Sequence, residues 1–174
     1  MATQFKNKTK RNNRTRSVRS SNNKSSNNKS SNNKSSNNKS SNNKSLSSLQ
    51  KQITIMFMEM LMMVKLYHWK THSYATHKAT DDLYSKLNEN VDKFMEVLLG
   101  KSGERTNLTG QKQIRLMDLT SQEELKREVY SFKGYLVALN DNAAIKQMTN
   151  TDLLNIRDEI LGDLNQFLYL LSFK

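Results

Sequence analysis

Residues 49 to 68 read LQKQITIMFMEMLMMVKLYH, and this stretch decides the fold. Leu49, Ile53, Met56, Met60, Val64 and Tyr67/His68 recur at intervals of three or four, the repeat of a helix with one buried stripe. Ser47 with Gln50 makes a capping box, so a first helix is expected from about Ser48 to His72. The most apolar part, Ile53 to Val64, is interrupted by Glu59 and is shorter than the roughly 18 residues a membrane span needs. The stretch therefore reads as a core helix of a protein with no membrane partner.

Further amphipathic patterns follow downstream. His77, Asp81, Tyr84, Asn88, Val91/Asp92, Met95/Glu96 and Leu99 give a second helix, ended by Gly100 and Gly103. Residues 101 to 120 form a long connection whose Ile114, Leu116, Met117 and Leu119 are expected to cover one edge of the core. Ser121 with Glu124 caps a third helix with Leu125, Val129, Phe132, Leu136 and Leu139 inward. Thr151 or Asn150 opens a fourth, with Leu153/Leu154, Ile160, Leu164, Phe167/Leu168 and Leu171 inward. Four amphipathic helices and no competing strand pattern indicate an all-α four-helix bundle over residues 46–174. The absence of Pro from all 174 residues suits long uninterrupted helices.

Charge divides the chain at the same boundary. Residues 1–45 hold twelve of the 28 Lys and Arg and no Asp or Glu. Residues 46–174 are then balanced, sixteen basic against sixteen acidic, so the formal +12 belongs to the leader. Residues 20–44 are five copies of Ser-Ser-Asn-Asn-Lys, a unit with no apolar residue, and residues 1–45 read as a disordered basic tail. Extended, the repeats place one charge every ~17 Å, sparse beside duplex DNA with one per roughly 1.7 Å. Lys6, Lys8, Lys10, Arg11, Arg14, Arg16 and Arg19 make the denser block and are the candidate contacts to DNA or another polyanion. The opening residues carry no secretory signal, so an intracellular setting is expected, host cytoplasm or virion for a viral protein. The Asn-Lys-Ser triplets then have no use as glycosylation sites.

With no Cys there is no thiolate metal site and no Cys nucleophile. Met56, Met58, Met60, Met62 and Met63 alternate around the first helix rather than converging on one ion, which favours core filling over copper. The remaining chemistry is imidazole and carboxylate. His68, His72 and His77 fall within ten residues, and the second helix adds His77-x-x-x-Asp81 and Asp92-x-x-x-Glu96. Each i,i+4 pair stacks two side chains able to grip one ion, and such donors suit iron, manganese or zinc. Asp81 and Asp92 are close to three turns apart, so the pairs share a face yet lie ~16 Å apart along the axis. One ion cannot bridge them within a chain. An antiparallel copy of the helix could, and a twofold axis would make two equivalent sites per dimer. His72 and Glu59 read as surface. The structural reading of the same residues is a polar helix start at His77 and Asp81 and a solvated face at Asp92 and Glu96, with Lys93 as partner to Glu96.

His68-Trp69, His77-x-x-x-Asp81, then Asp92 and Glu96, resembles the intersubunit ferroxidase centre of the Dps-like mini-ferritins, the DNA-binding proteins from starved cells. The closing Phe167-Leu168-Tyr169-Leu170-Leu171 is similar to that family's last helix. The resemblance implies a ferritin-like bundle assembled into dodecamers. His68, His77, Asp81, Asp92 and Glu96 would bind iron, and His77, Asp81, Asp92 and Glu96 would carry Fe(II) oxidation by peroxide or dioxygen. It also implies storage of the mineral and DNA contact through a Lys-rich tail. Here the two His are nine apart, closer than in that family, and its intervening Gly and Phe are missing, which implies a tighter turn. The wording Lys65 to Thr71 and His77 to Asp81 looks closer still to uncharacterised proteins of giant DNA viruses of the mimivirus kind. The alternative expectation is a non-catalytic viral structural or nucleic-acid-packaging bundle.

Overall fold

A computed structural model describes the backbone of residues 33–173 and the side chains of residues 44–173; the basic block at residues 6–19 and the first repeats lie outside the described residues. The described residues are helical, with no strand among them. The helices are α1 (Asn33–Lys70), α2 (Tyr74–Ser102), α3 (Gln122–Ala138), the short α4 (Ala143–Lys146) and α5 (Thr151–Leu170), with a 3-10 turn at Leu139–Asp141. No helix among them is long and apolar enough to cross a membrane.

α1 starts well ahead of the expected Ser48 and takes in residues 33–45, where disorder was expected. The physical reason is helix cooperativity. Leu49, Ile53, Met56, Met60 and Val64 are all buried and anchor the helix, and propagation from a formed nucleus costs little where no Pro or Gly intervenes. The expected Ser47/Gln50 capping box is therefore interior to the helix. Gln50 is buried instead and donates from Nε2 to Ser102 Oγ at 2.7 Å.

α2 is capped as its ends require. Ser73 Oγ accepts from the Thr76 N–H at 3.2 Å, and Gly103, at φ 69, donates its N–H to Leu99 O. Only a glycine takes that left-handed conformation without strain. The buried stripe of α2 is Thr76, Thr80, Leu83, Leu87, Val91, Phe94 and Leu98. It lies about one residue away from the stripe expected from His77, Asn88 and Leu99. The first two members are threonines, which bury a methyl group while Thr80 Oγ1 donates to Thr76 O at 2.8 Å.

The polar pairs between helices set their directions. Lys86–Gln166, Asn90–Asp163, Lys93–Glu159 and Lys101–Asp152 run in opposite order along α2 and α5, which are antiparallel. Gln122 Nε2 reaches Leu171 O at 2.8 Å and Arg157 Nη1 reaches Leu136 O at 3.1 Å, so α3 and α5 are antiparallel too. α1 turns into α2 over residues 71–73. Thus α2 and α3 point one way, α1 and α5 the other, and residues 103–121 must return the full length of the molecule.

That return runs along α1. After Ser102 at Gln50, Arg115 ion-pairs with Glu59 and its backbone N–H donates to Glu59 Oε1 at 3.0 Å. Asp118 then meets Lys70. Glu59, expected on the surface, is therefore a tether, and Arg115 also pairs with Glu128 of α3. Met117 is buried and Leu119 half-buried, as expected for this connection, whereas Ile114 and Leu116 are exposed. Between the helices Phe57 meets Phe94 edge-to-face at 5.4 Å, among buried Met60, Met63 and Phe167.

Candidate functional site

The chemistry-bearing residues meet where α1 turns into α2. Such a tight turn leaves the last carbonyls of α1 and the first N–H groups of α2 without helical partners. One imidazole, that of His77, answers for part of this, and a second binds back across the turn. His77 Nδ1 lies 3.1 Å from His68 O, in the last turn of α1. His68 Nδ1 lies 3.0 Å from His77 O and 3.3 Å from Thr80 Oγ1. Each ring thus binds the backbone of the other residue, and the rings stack with centroids 3.9 Å apart and planes at 24°. The result is a reciprocal clasp across the turn.

The clasp is nearly closed to water on one side. His68 is 8% exposed and Thr80 0%, while His77 is half-buried. A carbonyl oxygen can only accept, so Nδ1 of each ring carries a hydrogen in the clasp, and in a neutral ring Nε2 is then the acceptor. His68 Nε2 faces Asp81 Oδ1 at 4.0 Å. Asp81 is half exposed and opens that edge to solvent. Tyr67, next to His68 in the chain, is buried, and burial first, then the charge of Glu124, raises its phenol above the ordinary value, with Lys70 opposing.

The other expected ligands stand apart. Asp92 and Glu96 are exposed further along α2. Lys93, the expected structural partner of Glu96, pairs with Glu159 of α5 instead. Among the described residues, no three His, Asp or Glu side chains converge closely enough to hold a metal ion. One chain stacks His68 on His77 and sets Asp81 4.0 Å from His68 Nε2, without closing the three on one point, and leaves Asp92 and Glu96 exposed further along α2. His72 is exposed, as expected. Of the methionines, Met56, Met60 and Met63 are core, Met62 is half-buried and Met58 exposed.

Among the buried polar residues missed from sequence are Thr80, Arg157 and Thr76. Thr80 was read as a spacer inside His77-x-x-x-Asp81; its place on the buried stripe of α2 was the available signal. Arg157 is 5% exposed and binds Leu136 O, Asn140 Oδ1 and Asp158. An Arg between Ile156 and Ile160 in an otherwise apolar repeat was its signal. Thr76, at the first turn of α2, also borders an open groove of about 960 Å³ with Lys78, Gln122, Leu170 and Phe173. Its acids are largely matched by cations: Lys86 pairs with Asp82 and Lys126 with Glu123.

A family described as a family of unknown function (DUF5856) matches residues 68–171, from His68 of the clasp to the last turn of α5. An uncharacterised 14.6 kDa protein of Enterobacteria phage T4, from the mobD-ri intergenic region, is 42% identical over 53 residues. That alignment takes in 28% of this chain, and the chain spans 41% of the length of the phage protein. No solved structure matches.

Proposed function

The chain belongs to the DUF5856 family, and we propose that it is a ferritin-like, self-assembling protein that binds iron at a site shared between two copies. The observation that carries this reading is the pinned imidazole pair. Metal-bound His side chains characteristically donate their second ring N–H to a carbonyl or carboxylate, which orients the ligand nitrogen. His68 and His77 have that arrangement, with Asp81 on the Nε2 side of His68. The chain path supports it as well, because a bundle with one long crossover between its second and third long helices is the ferritin-like connection.

The donor set fits half a site. Two imidazole nitrogens and one carboxylate suit Fe(II), with manganese or zinc as relatives in donor preference, but they leave the coordination incomplete. Asp92 and Glu96 of a second chain, running antiparallel, would complete it. In such a site this chain's residues position and charge-balance Fe(II) as substrate, which loses one electron to dioxygen or peroxide. The basic residues 6–19 would add contact to DNA.

Anaerobic Fe(II) titration of the full-length protein tests the reading. Asp92→Ala and Glu96→Ala should each remove most of the stoichiometric binding while leaving the helical signal unchanged. Native mass is the companion measurement. A monomer at working concentration would sink the shared site, because ~16 Å separates the two halves on one helix.

A second reading is a non-catalytic viral structural or nucleic-acid-packaging bundle. The observation favouring it is that both clasp hydrogen bonds end on backbone carbonyls, which is enough to fix the α1–α2 corner without a ligand. It predicts an oligomer with no saturable Fe(II) binding.

A further inference from the structure

We propose that the backbone holds both His68 and His77 in the tautomer with hydrogen on Nδ1, that Thr80 is the positioning residue for His68, and that the Nε2 lone pairs this leaves are donor atoms for a divalent transition metal. The metal half deepens the reading above and rests on it. The tautomer half stands on the hydrogen bonds alone.

Consider His68 with its hydrogen on Nε2 instead. Nδ1 would then present a lone pair to the carbonyl oxygen of residue 77 at 3.0 Å, with no hydrogen between them, in a buried place. Leaving two such lone pairs face to face away from water is unfavourable. The same holds for His77 Nδ1 against the carbonyl of residue 68 at 3.1 Å. Thr80 has one hydroxyl hydrogen and two acceptors for it, Thr76 O at 2.8 Å and His77 O at 3.0 Å. With that hydrogen committed, its oxygen can only accept from His68 Nδ1 at 3.3 Å. The partner ring, stacked at 3.9 Å, blocks rotation.

A histidine free in water prefers its hydrogen on Nε2, so the clasp imposes a measurable departure. What the departure leaves at His68 is an Nε2 lone pair beside the Asp81 carboxylate. The 4.0 Å from His68 Nε2 to Asp81 Oδ1 is too long for a hydrogen bond. It lies within the ~4.2 Å that two metal–ligand bonds of ~2.1 Å can span. Nitrogen with oxygen donors selects a zinc- or iron-like ion over magnesium or calcium.

The experiment is long-range proton–nitrogen correlation on full-length protein labelled at histidine nitrogen. It is recorded with chelator at about pH 8, above the ordinary imidazole range. Exposed His72 serves as the internal reference for the solution tautomer. His68 and His77 should both show hydrogen on Nδ1, and either one with hydrogen on Nε2 overturns the proposal. Thr80→Val should mix the two forms at His68, whereas Thr80→Ser should retain the wild-type signal. If Thr80→Val leaves His68 unchanged, Thr80 is not the positioning residue. Should the valine variant fail to fold, loss of the Nδ1–H form in Thr80→Ser would be the overturning result. Zn(II) is then added to the wild type. Displacement of the Nε2 resonances of His68 and His77 supports the metal half. Unmoved resonances in an oligomeric sample remove that half and leave the tautomer lock standing, so the two failures are distinct.

Discussion

At the scale of single residues, Arg157 is the most consequential polar side chain outside the clasp. It sits on α5 but reaches the last turn of α3, adding a second donor to Leu136 O, which also accepts from the Leu139 N–H. Nη1 donates to Leu136 O at 3.1 Å and Asn140 Oδ1 at 3.0 Å, and Nε to Asp158 at 2.7 Å. Arg157→Met keeps much of the volume and removes all three bonds. Hydrogen bonds to charged groups are worth ~1.5–3 kcal/mol, offset in part because a buried charge no longer needs desolvating. The net loss should be about 1–3 kcal/mol. Thermal unfolding followed by circular dichroism should show a Tm lower by several degrees, with Asn140→Ala costing clearly less. Equal stability of Arg157→Met and wild type would mean that Leu136 O is satisfied by the Leu139 N–H alone and that Asn140 finds another donor.

At the scale of elements, α3 starts on a full capping box. Ser121 Oγ accepts from the Glu124 N–H, and the Glu124 carboxylate accepts from Thr120 and Ser121. Ser121→Ala should cost about 1 kcal/mol. The bonds from Thr120, backbone first and then hydroxyl, hold the Glu124 carboxyl below its ordinary 4.5, helped by Ser121 and Arg127. A depressed folded value means the contribution is full above the ordinary value and is lost as pH falls through the lowered one. Tm measured downward from about pH 7 should therefore fall less steeply below about pH 4.5 in Glu124→Gln than in wild type. This box was plain from sequence because both partners sit within four residues of each other. The α1 core stripe and the start of α5 were plain for the same local reason. What escaped depends on contacts far apart in the chain. Glu59 is set by Arg115, Gln50 by Ser102 and Arg157 by Leu136, none of which periodicity can see. α2 was misphased because His77 and Asp81 look like an inner face in a sequence where Thr76 and Thr80 do not look apolar. At the site, the residue types and their order were legible, whereas the clasp needed the geometry of a turn of three residues.

At the scale of the whole molecule, charge and helix length combine. The balanced domain gives a polyanion no general attraction, so any phosphate contact falls to residues 1–45 and their twelve cations. α1 extends back to Asn33, which places Lys34, Lys39 and Lys44 on helical backbone. Five residues of helix rise ~7.5 Å, where extended chain would cover ~17 Å, so that part of the leader is charged about twice as densely along its axis. An assembly multiplies the effect, because linked weak contacts act through effective concentration. Retardation of duplex DNA across a salt series should then show a steep dependence for the full-length protein. Each phosphate neutralised contributes ~0.9 to the slope of log affinity against log salt. Deleting residues 1–19 removes the seven cations between Lys6 and Arg19 and should flatten that slope by up to about 6. Replacing Lys34 and Lys39 with Gln should flatten it by at most about 2. If the intact protein shows no retardation even at low salt, the leader is a spacer and the DNA contact falls away. The clasp would be untouched by that result, because it lies in the neutral part.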